Sequence, residues 1–436
     1  MRRSCRRNLQ GTPAPMRNRC LPDGVGARAG AAGAVALLTA AYVLSYVDRT
    51  IVGLLVGPIK ADLVLTDTQF SLLGGLAFAL FYSILGIPLA WVADRGDRRR
   101  LITVGIALWS VMTILCGLVP SFGWFFVARV GVGIGEAALS PSAYSLIAEL
   151  YPAERVGRAL AIYGSGVYLG IGLSFLAGGA LVDALGGDWR TMFAIVGAPG
   201  LLLAALVAWR LPEARRGPAA VPQAPAPLAP HLKRDWRFLA LHFAGFSMLT
   251  LAFNGYLAWL AEFLLRAFRW AKTDSGLAIG GIVLVAGIAG MLAGGAASDR
   301  LRARGDARGA LTAALGGAVL LVPVPLILTT TGSAALSLAA FAPLVFLSAF
   351  CFGPAVVSLQ LATPPPLRAR VSAIYLLVVN LTGIGFGGTA VALVSDRLLA
   401  DEGRLGQAMA VVGATALLLA VPLLAAARRL MPKENA

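Results

Sequence analysis

Four charged residues interrupt stretches that are otherwise apolar: Asp48 and Arg49 in Tyr46-Val-Asp-Arg, and Arg129 and Glu136 in Arg129-Val-Gly-Val-Gly-Ile-Gly-Glu136. Their formal charges sum to zero. The seven-residue step from Arg129 to Glu136 is close to two helical turns, so both side chains share one helix face. In apolar surroundings an ionised side chain needs a partner, and a carboxylate changes its hold on a proton whenever its burial or partner changes. This predicts a proton-responsive pair, Asp48 and Glu136, with Arg49 and Arg129 as partners. The arginines are also expected anchors for an anionic group, because the planar guanidinium fork matches phosphate or carboxylate with two hydrogen bonds. The competing reading is a static network that fixes helix packing, since buried ions often return less than their desolvation takes.

The elements that must hold these residues follow from composition. Of 436 residues, 58% are hydrophobic and 13% charged, against about 25% charged in a typical soluble domain. With a mean hydropathy of +0.79, most of the chain belongs in a bilayer, and a soluble enzyme is excluded. Apolar runs at 32–59, 68–93, 101–119, 122–149, 157–183, 190–209, 238–262, 275–298, 309–330, 335–361, 371–395 and 407–427 predict twelve spans. Each has the length to cross hydrocarbon as a helix, the form that pairs all its backbone polar groups there. Six prolines between Leu211 and Pro230 mark a linker. The expected organisation is a basic tail (1–31), a six-helix half (32–210), a Pro/Ala-rich linker (211–237), a second six-helix half (238–428) and a short tail (429–436).

The net charge of +16 comes from 37 Lys and Arg against 21 Asp and Glu. On this span assignment 28 of the 37 fall on the side that carries both termini, seven on the other side and two within spans. That asymmetry is the positive-inside signature. It predicts cytoplasmic termini and accounts for the surplus without nucleic acid; the expected location is a bacterial inner membrane. Cys5, Cys20, Cys116 and Cys351 form no CxxC pair, and His231 and His242 have no ligand cluster beside them. No lysine completes a P-loop, so no metal or cofactor is expected and uphill work must come from an ion gradient or a partner. An intramembrane hydrolase would need Ser165 as nucleophile, yet His242 lies in the other half.

The halves repeat. Asp94-Arg95 recurs as Asp299-Arg300 after 205 residues, and Arg158 with Ala161-Ile-Tyr163 recurs as Arg370 with Ala373-Ile-Tyr375 after 212. With Ala90-x3-Asp94-Arg95-Gly-Asp97-Arg98-Arg99 and Arg129-Val-Gly-Val-Gly133-Ile-Gly135, the chain resembles the major facilitator superfamily. Tyr46-Val-Asp48-Arg49, Arg129 through Glu136-Ala137 to Ser145-Leu-Ile-Ala-Glu149, and Gly187-Asp-Trp-Arg190 resemble its Spinster branch, whose members are linked to sphingolipid-type and lysophospholipid export. In helix five Ser174-Phe175 replaces the Gly-Pro of many antiporters, and helix eleven carries Gly385-Phe-Gly387-Gly388 in place of the branch's Gly-Pro.

The resemblance implies helices one and four facing each other across a central cavity, with the charged set on one wall. Asn254, Tyr256, Trp259, Ser358, Tyr375 and Asn380 are polar points on the apolar second half, and Asn254, Tyr256, Trp259, Tyr375 and Asn380 join Arg49 and Arg129 as expected substrate contacts; ordinary helix packing is the alternative. Glu262 reads as a solvated helix end. Asp94, Arg95, Arg98, Arg99, Arg158, Asp299, Arg300 and Arg370 form an expected cytoplasmic gate, against topology alone for the arginines. Gly164, Gly166, Gly170 and Gly172 are expected to face Gly280, Gly281, Gly287, Gly290 and Gly294 across the halves. The expected protein is a monomeric, proton-linked secondary transporter of an amphipathic lysolipid or sphingolipid-like substrate. The alternative is a proton-coupled symporter of a small organic anion, such as a sugar acid or aromatic acid.

Overall fold

The computed structural model describes residues 25–95, 97–151, 153–212, 227–364 and 367–432. Most of the basic tail, with Cys5 and Cys20, and most of the Pro/Ala-rich linker lie outside the described residues. Within them, twelve helices are long and apolar enough to cross a membrane: α1 (Gly30–Leu54), α2 (Asp67–Gly86), α3 (Arg98–Cys116), α4 (Phe122–Ile147), α5 (Ile162–Ala184), α6 (Trp189–Arg210), α7 (Leu228–Phe268), α8 (Lys272–Ala303), α9 (Gly309–Thr330), α10 (Ala334–Ala362), α11 (Arg370–Leu399) and α12 (Leu405–Leu430).

An even number of crossings puts the starts of α1 and α7 and the ends of α6 and α12 on one face. This basic face also carries Arg98–Arg100, Arg300, Arg302 and Arg304. Helix α7 begins at Leu228, ahead of the expected 238. Pro230 sits in its first turn, where an N–H has no intrahelical partner to lose, and Asp235 (φ −106°, ψ 16°) kinks the helix before it enters the apolar run. Helix α11 contains two π segments, Leu381–Gly385 and Val394–Leu399, that the residue pattern did not announce.

Each half is a bundle in which α1 packs on α5 and α3 on α6, or α7 on α12 and α8 on α10. The halves meet along two seams, α5 against α8 and α2 against α11. Close backbone approach makes both seams. A Cβ on Gly75 of α2 would sit 2.7 Å from the carbonyl oxygen of Gly385 in α11, and one on Gly280 of α8 would sit 2.7 Å from that of Gly172 in α5. The expected glycine interface is therefore partial. Gly172, Gly280 and Gly287 lie in the α5–α8 seam, Gly166 and Gly170 face α1, and Gly290 and Gly294 face Phe346 and Phe350 of α10. Gly164 and Gly281 face open space.

Overpacking a close seam costs about 1–3 kcal/mol. Gly280→Val should accordingly lower the melting temperature of the purified protein by several degrees. Gly281→Val, one position on with nothing near its Cβ, should leave it unchanged.

Candidate functional site

Two charge pairs cross from α1 to α4. Arg49 Nε donates to Glu136 Oε2 at 2.7 Å, and its Nη2 lies 2.5 Å from the same oxygen. Asp48 turns to the other end of the α4 segment: its Oδ1 is 3.4 Å from Arg129 Nη1, and its Oδ2 accepts from the Thr113 hydroxyl at 3.0 Å. Adjacent residues of opposite charge on α1 thus meet residues of opposite charge two turns apart on α4. Arg129, Glu136 and Asp48 are buried, with Arg129 fully so. Arg129 Nη2 and Glu136 Oε1 have no hydrogen-bond partner among the described residues.

The glycine run between the α4 charges explains how the helices come close enough. A Cβ on Gly133 would lie 2.6 Å from the carbonyl oxygen of Phe78 in α2, and one on Gly135 would lie 2.6 Å from the backbone nitrogen of Trp109 in α3. The Phe78 ring that this packing brings in touches both arginines, 4.5 Å from the Arg49 guanidinium and 5.8 Å from that of Arg129. Tyr46 and Tyr82 complete a three-ring enclosure of Arg49, at 4.7 and 4.6 Å. Ring faces attract a guanidinium, more strongly where water is excluded.

Between the halves lies a cavity of about 360 Å³. Arg49 is the one charged side chain on its wall among the described residues, set within Tyr42, Tyr46, Phe78, Tyr82 and Tyr168. The facing wall is largely apolar and aromatic, with Phe246, Phe253, Trp259, Met291 and Tyr375, and its amides are Asn254 and Asn380. Tyr144, Phe352 and Leu376 line the cavity and are exposed, and they lie toward the basic-face ends of their helices.

The expected substrate contacts therefore divide. Arg49, Asn254, Trp259, Tyr375 and Asn380 line the cavity. Arg129 stands behind the wall, held by Asp48 and a 3.4 Å contact to the Leu73 carbonyl. Tyr256 is a correction: it points away from the cavity, its hydroxyl bonded to the carbonyls of Pro325 and Met409 at 3.2 and 3.1 Å. Ser358 likewise partners His242 Nε2 at 2.9 Å, and Ser165 bonds its own helix at Ile162, so the two do not assemble a nucleophile and base.

The end of the cavity away from the basic face is shut by contacts between the halves that were not read from the sequence. Asp67 of α2 takes Arg266 of α7 at 3.0 Å and pairs with Lys60. Glu262 takes Arg266 and Lys272, each at 2.9 Å. Glu262 is thus buried and doubly paired rather than a solvated helix end. Beneath the cluster the Phe70 ring of α2 meets Trp259 of α7 edge-on, centroids 6.1 Å apart. The signal was a set of charges at span ends, where solvation is the ordinary explanation.

A family model described as Major Facilitator Superfamily matches residues 38–388. The chain belongs to the Major Facilitator Superfamily. It is 30% identical over 383 residues to an MFS-type efflux pump of Mycolicibacterium smegmatis, covering 86% of this chain and 87% of that protein. It is also 30% identical over 285 residues to a probable L-galactonate transporter of Escherichia coli, covering 62% of this chain and 61% of that one. A solved relative is a bacterial homolog of the human lysosomal transporter Spinster in an inward-facing and occupied conformation. It matches with a TM-score of 0.75 and 26% identity, over 92% of this chain and 96% of that one. The fold, the Spinster resemblance and a transporter function without enzyme chemistry rest on these likenesses.

Of the expected gate residues, Arg98 pairs with Glu149 of its own half at 2.6 Å, and Asp299, Arg300 and Arg370 are exposed on the basic face. Arg99 is half-buried there. The side chains of Asp94, Arg95 and Arg158 lie outside the described residues. Gly187-Asp-Trp-Arg190 is a structural tie on the opposite face: Arg190 bonds Asp62 at 2.8 Å and the Val119 carbonyl at 2.8 Å.

Position relative to the cavity separates two substitutions. Tyr256→Phe removes a buried hydroxyl bond, worth about 1 kcal/mol, and should lower the melting temperature by a few degrees with transport intact. Asn380→Ala should do the reverse, weakening substrate binding with little change in melting.

Proposed function

We propose that this transporter works by alternating access, with proton binding at Glu136 linked to capture of an amphipathic substrate's anionic headgroup by Arg49. The observation that carries the reading is the state of Arg49. It is the charged group on the cavity wall, and Glu136 Oε2 occupies both its Nε and its Nη2. A proton on Glu136 removes the counter-charge and frees that fork for a phosphate or carboxylate, which it holds with two parallel bonds. Substrate and proton then favour each other's binding, and the coupling is reciprocal.

Asp48, held by Arg129 and Thr113, is the second proton-responsive carboxylate in this reading. Its long 3.4 Å contact to Arg129 couples the two pairs through α1 and the shared Phe78 ring. The facing wall of Phe246, Phe253, Trp259 and Met291 suits an acyl or sphingoid tail, and the Spinster likeness supports a lysolipid or sphingolipid-like substrate. The basic face is the cytoplasmic side, both termini lie there, and the protein acts as a monomer in a bacterial inner membrane. Asp94, Arg95, Arg98, Arg99 and Arg158 with Asp299, Arg300 and Arg370 make its gate on that side when the halves close there.

A second reading, symport of a sugar acid or related small organic anion, is favoured by the likeness to the probable L-galactonate transporter. The same arginine serves either headgroup, and the tail decides between them.

Uptake of labelled lysophospholipid and of a labelled sugar acid into proteoliposomes, across an imposed pH gradient, tests both. Gradient-dependent movement of the lysolipid alone is expected. Glu136→Gln should abolish the dependence on the gradient, and Asp48→Asn should weaken it. Movement of the sugar acid alone supports the second reading, and unchanged pH dependence in both carboxylate variants contradicts the proton linkage.

A further inference from the structure

The face opposite the basic one carries two contacts of the same kind, made in opposite directions between the halves. Asp183, at the end of α5, accepts from the backbone N–H (2.9 Å) and the hydroxyl (2.5 Å) of Thr273, in the first turn of α8. Asp396, near the end of α11, accepts from the backbone N–H and the hydroxyl of Thr68, in the first turn of α2, both at 2.7 Å. The first half gives a carboxylate to a helix of the second, and the second half returns one. A carboxylate at a helix N-terminus meets unpaired N–H groups and the positive end of the dipole.

The internal repeat carries this reciprocity. Thr68 and Thr273 are 205 residues apart, the interval that also separates Asp94-Arg95 from Asp299-Arg300. Asp183 and Asp396 are 213 apart, one more than the 212 between Tyr163 and Tyr375. The π segment Leu381–Gly385 lies between Tyr375 and Asp396 and absorbs the extra residue, because an i→i+5 turn takes in one residue more than an α turn. The neighbouring ion cluster lacks this symmetry. The residue 205 after Asp67 is Lys272, of opposite charge, and it pairs with Glu262 of its own half.

We infer that Asp183–Thr273 and Asp396–Thr68 form a reciprocal pair of helix caps that latches the two halves together at this face. The latch sets the resting balance between the two access states when no substrate is bound. Each cap spans the halves, so a rocking motion that opens this face parts both at once. Hydrogen bonds to an ionised acceptor are the stronger kind. Loss of one cap is expected to raise the ratio of open to closed molecules about tenfold, and loss of both, which share no partner, about a hundredfold.

Electron–electron double resonance reads that ratio without substrate or proton gradient, so its result is independent of the proposed chemistry. With Cys5, Cys20, Cys116 and Cys351 replaced by alanine, spin labels at Ser121 and Gly332 sit in exposed loops of the two halves on this face. In lipid nanodiscs the otherwise unaltered protein should give one main distance. Asp183→Ala and Asp396→Ala should each add a longer-distance population of similar size, and the double variant should make it dominant. Thr68→Val and Thr273→Val, which remove the hydroxyl donors alone, should add it to a smaller extent and serve if an aspartate variant does not fold. An unchanged distance in the double variant, or in both threonine variants, overturns the latch. A shift from one cap alone overturns its reciprocity.

Discussion

A charge inside hydrocarbon must find its counter-charge within the protein, and the first half of this transporter is organised around that requirement. Arg49 and Glu136, and Asp48 and Arg129, satisfy it across the α1–α4 boundary. Reaching that arrangement needs α2, α3 and α4 at near-contact distance, which is why glycines fill the two turns between Arg129 and Glu136. It also needs a polarisable lining, since each guanidinium still faces apolar neighbours. Phe78, Tyr46 and Tyr82 supply it around Arg49. The two pairs differ in their tightness. The Arg49 pair is short and faces the cavity, whereas the Arg129 pair is long, buried and braced by Thr113.

Among the described residues the second half has no such set in its interior, and its helices solve a different problem. Tyr256, Trp259 and His242 each tie α7 to a neighbour by a side-chain bond to a backbone carbonyl. Gly255 and Gly387 let α7 and α11 touch. The result is a cross-braced, largely apolar and aromatic wall facing the cavity. Where the two walls converge, away from the basic face, the closing contacts are the ion cluster and the capped helix ends, side by side in the first turns of α2 and α8, and the Phe70–Trp259 contact. In the proposed cycle the charges that meet there gain partners when the halves close and regain hydration when they part, so the two terms offset each other.

Much of this was legible in the residues. Helix number, the two halves, the repeat and the four intramembrane charges follow from apolar length and from the rarity of ions in such segments. The pairing of Asp48 with Arg129 and of Arg49 with Glu136 did not, because helix spacing fixes a face and not the rotamer that reaches across it. Tyr256 misled for a related reason: a tyrosine on an apolar helix signals a needed partner without saying whether ligand or backbone supplies it. Glu262 and Asp67 were hidden because a carboxylate at a span end looks the same whether it meets water or the other half. The π turns of α11 leave no periodic trace. The first of them, Leu381–Gly385, surfaces only as the one-residue change in the repeat interval from 212 to 213.

In the proposed cycle Glu136 surrenders Arg49 to the substrate by taking up a proton. Proton uptake on substrate binding tests it most directly. Adding a lysophospholipid to purified protein in weakly buffered solution near neutral pH should remove up to one proton per bound molecule from the medium. Glu136→Gln should bind the same lipid with no uptake. Binding by the native protein without proton uptake, or equal uptake by the variant, would contradict it.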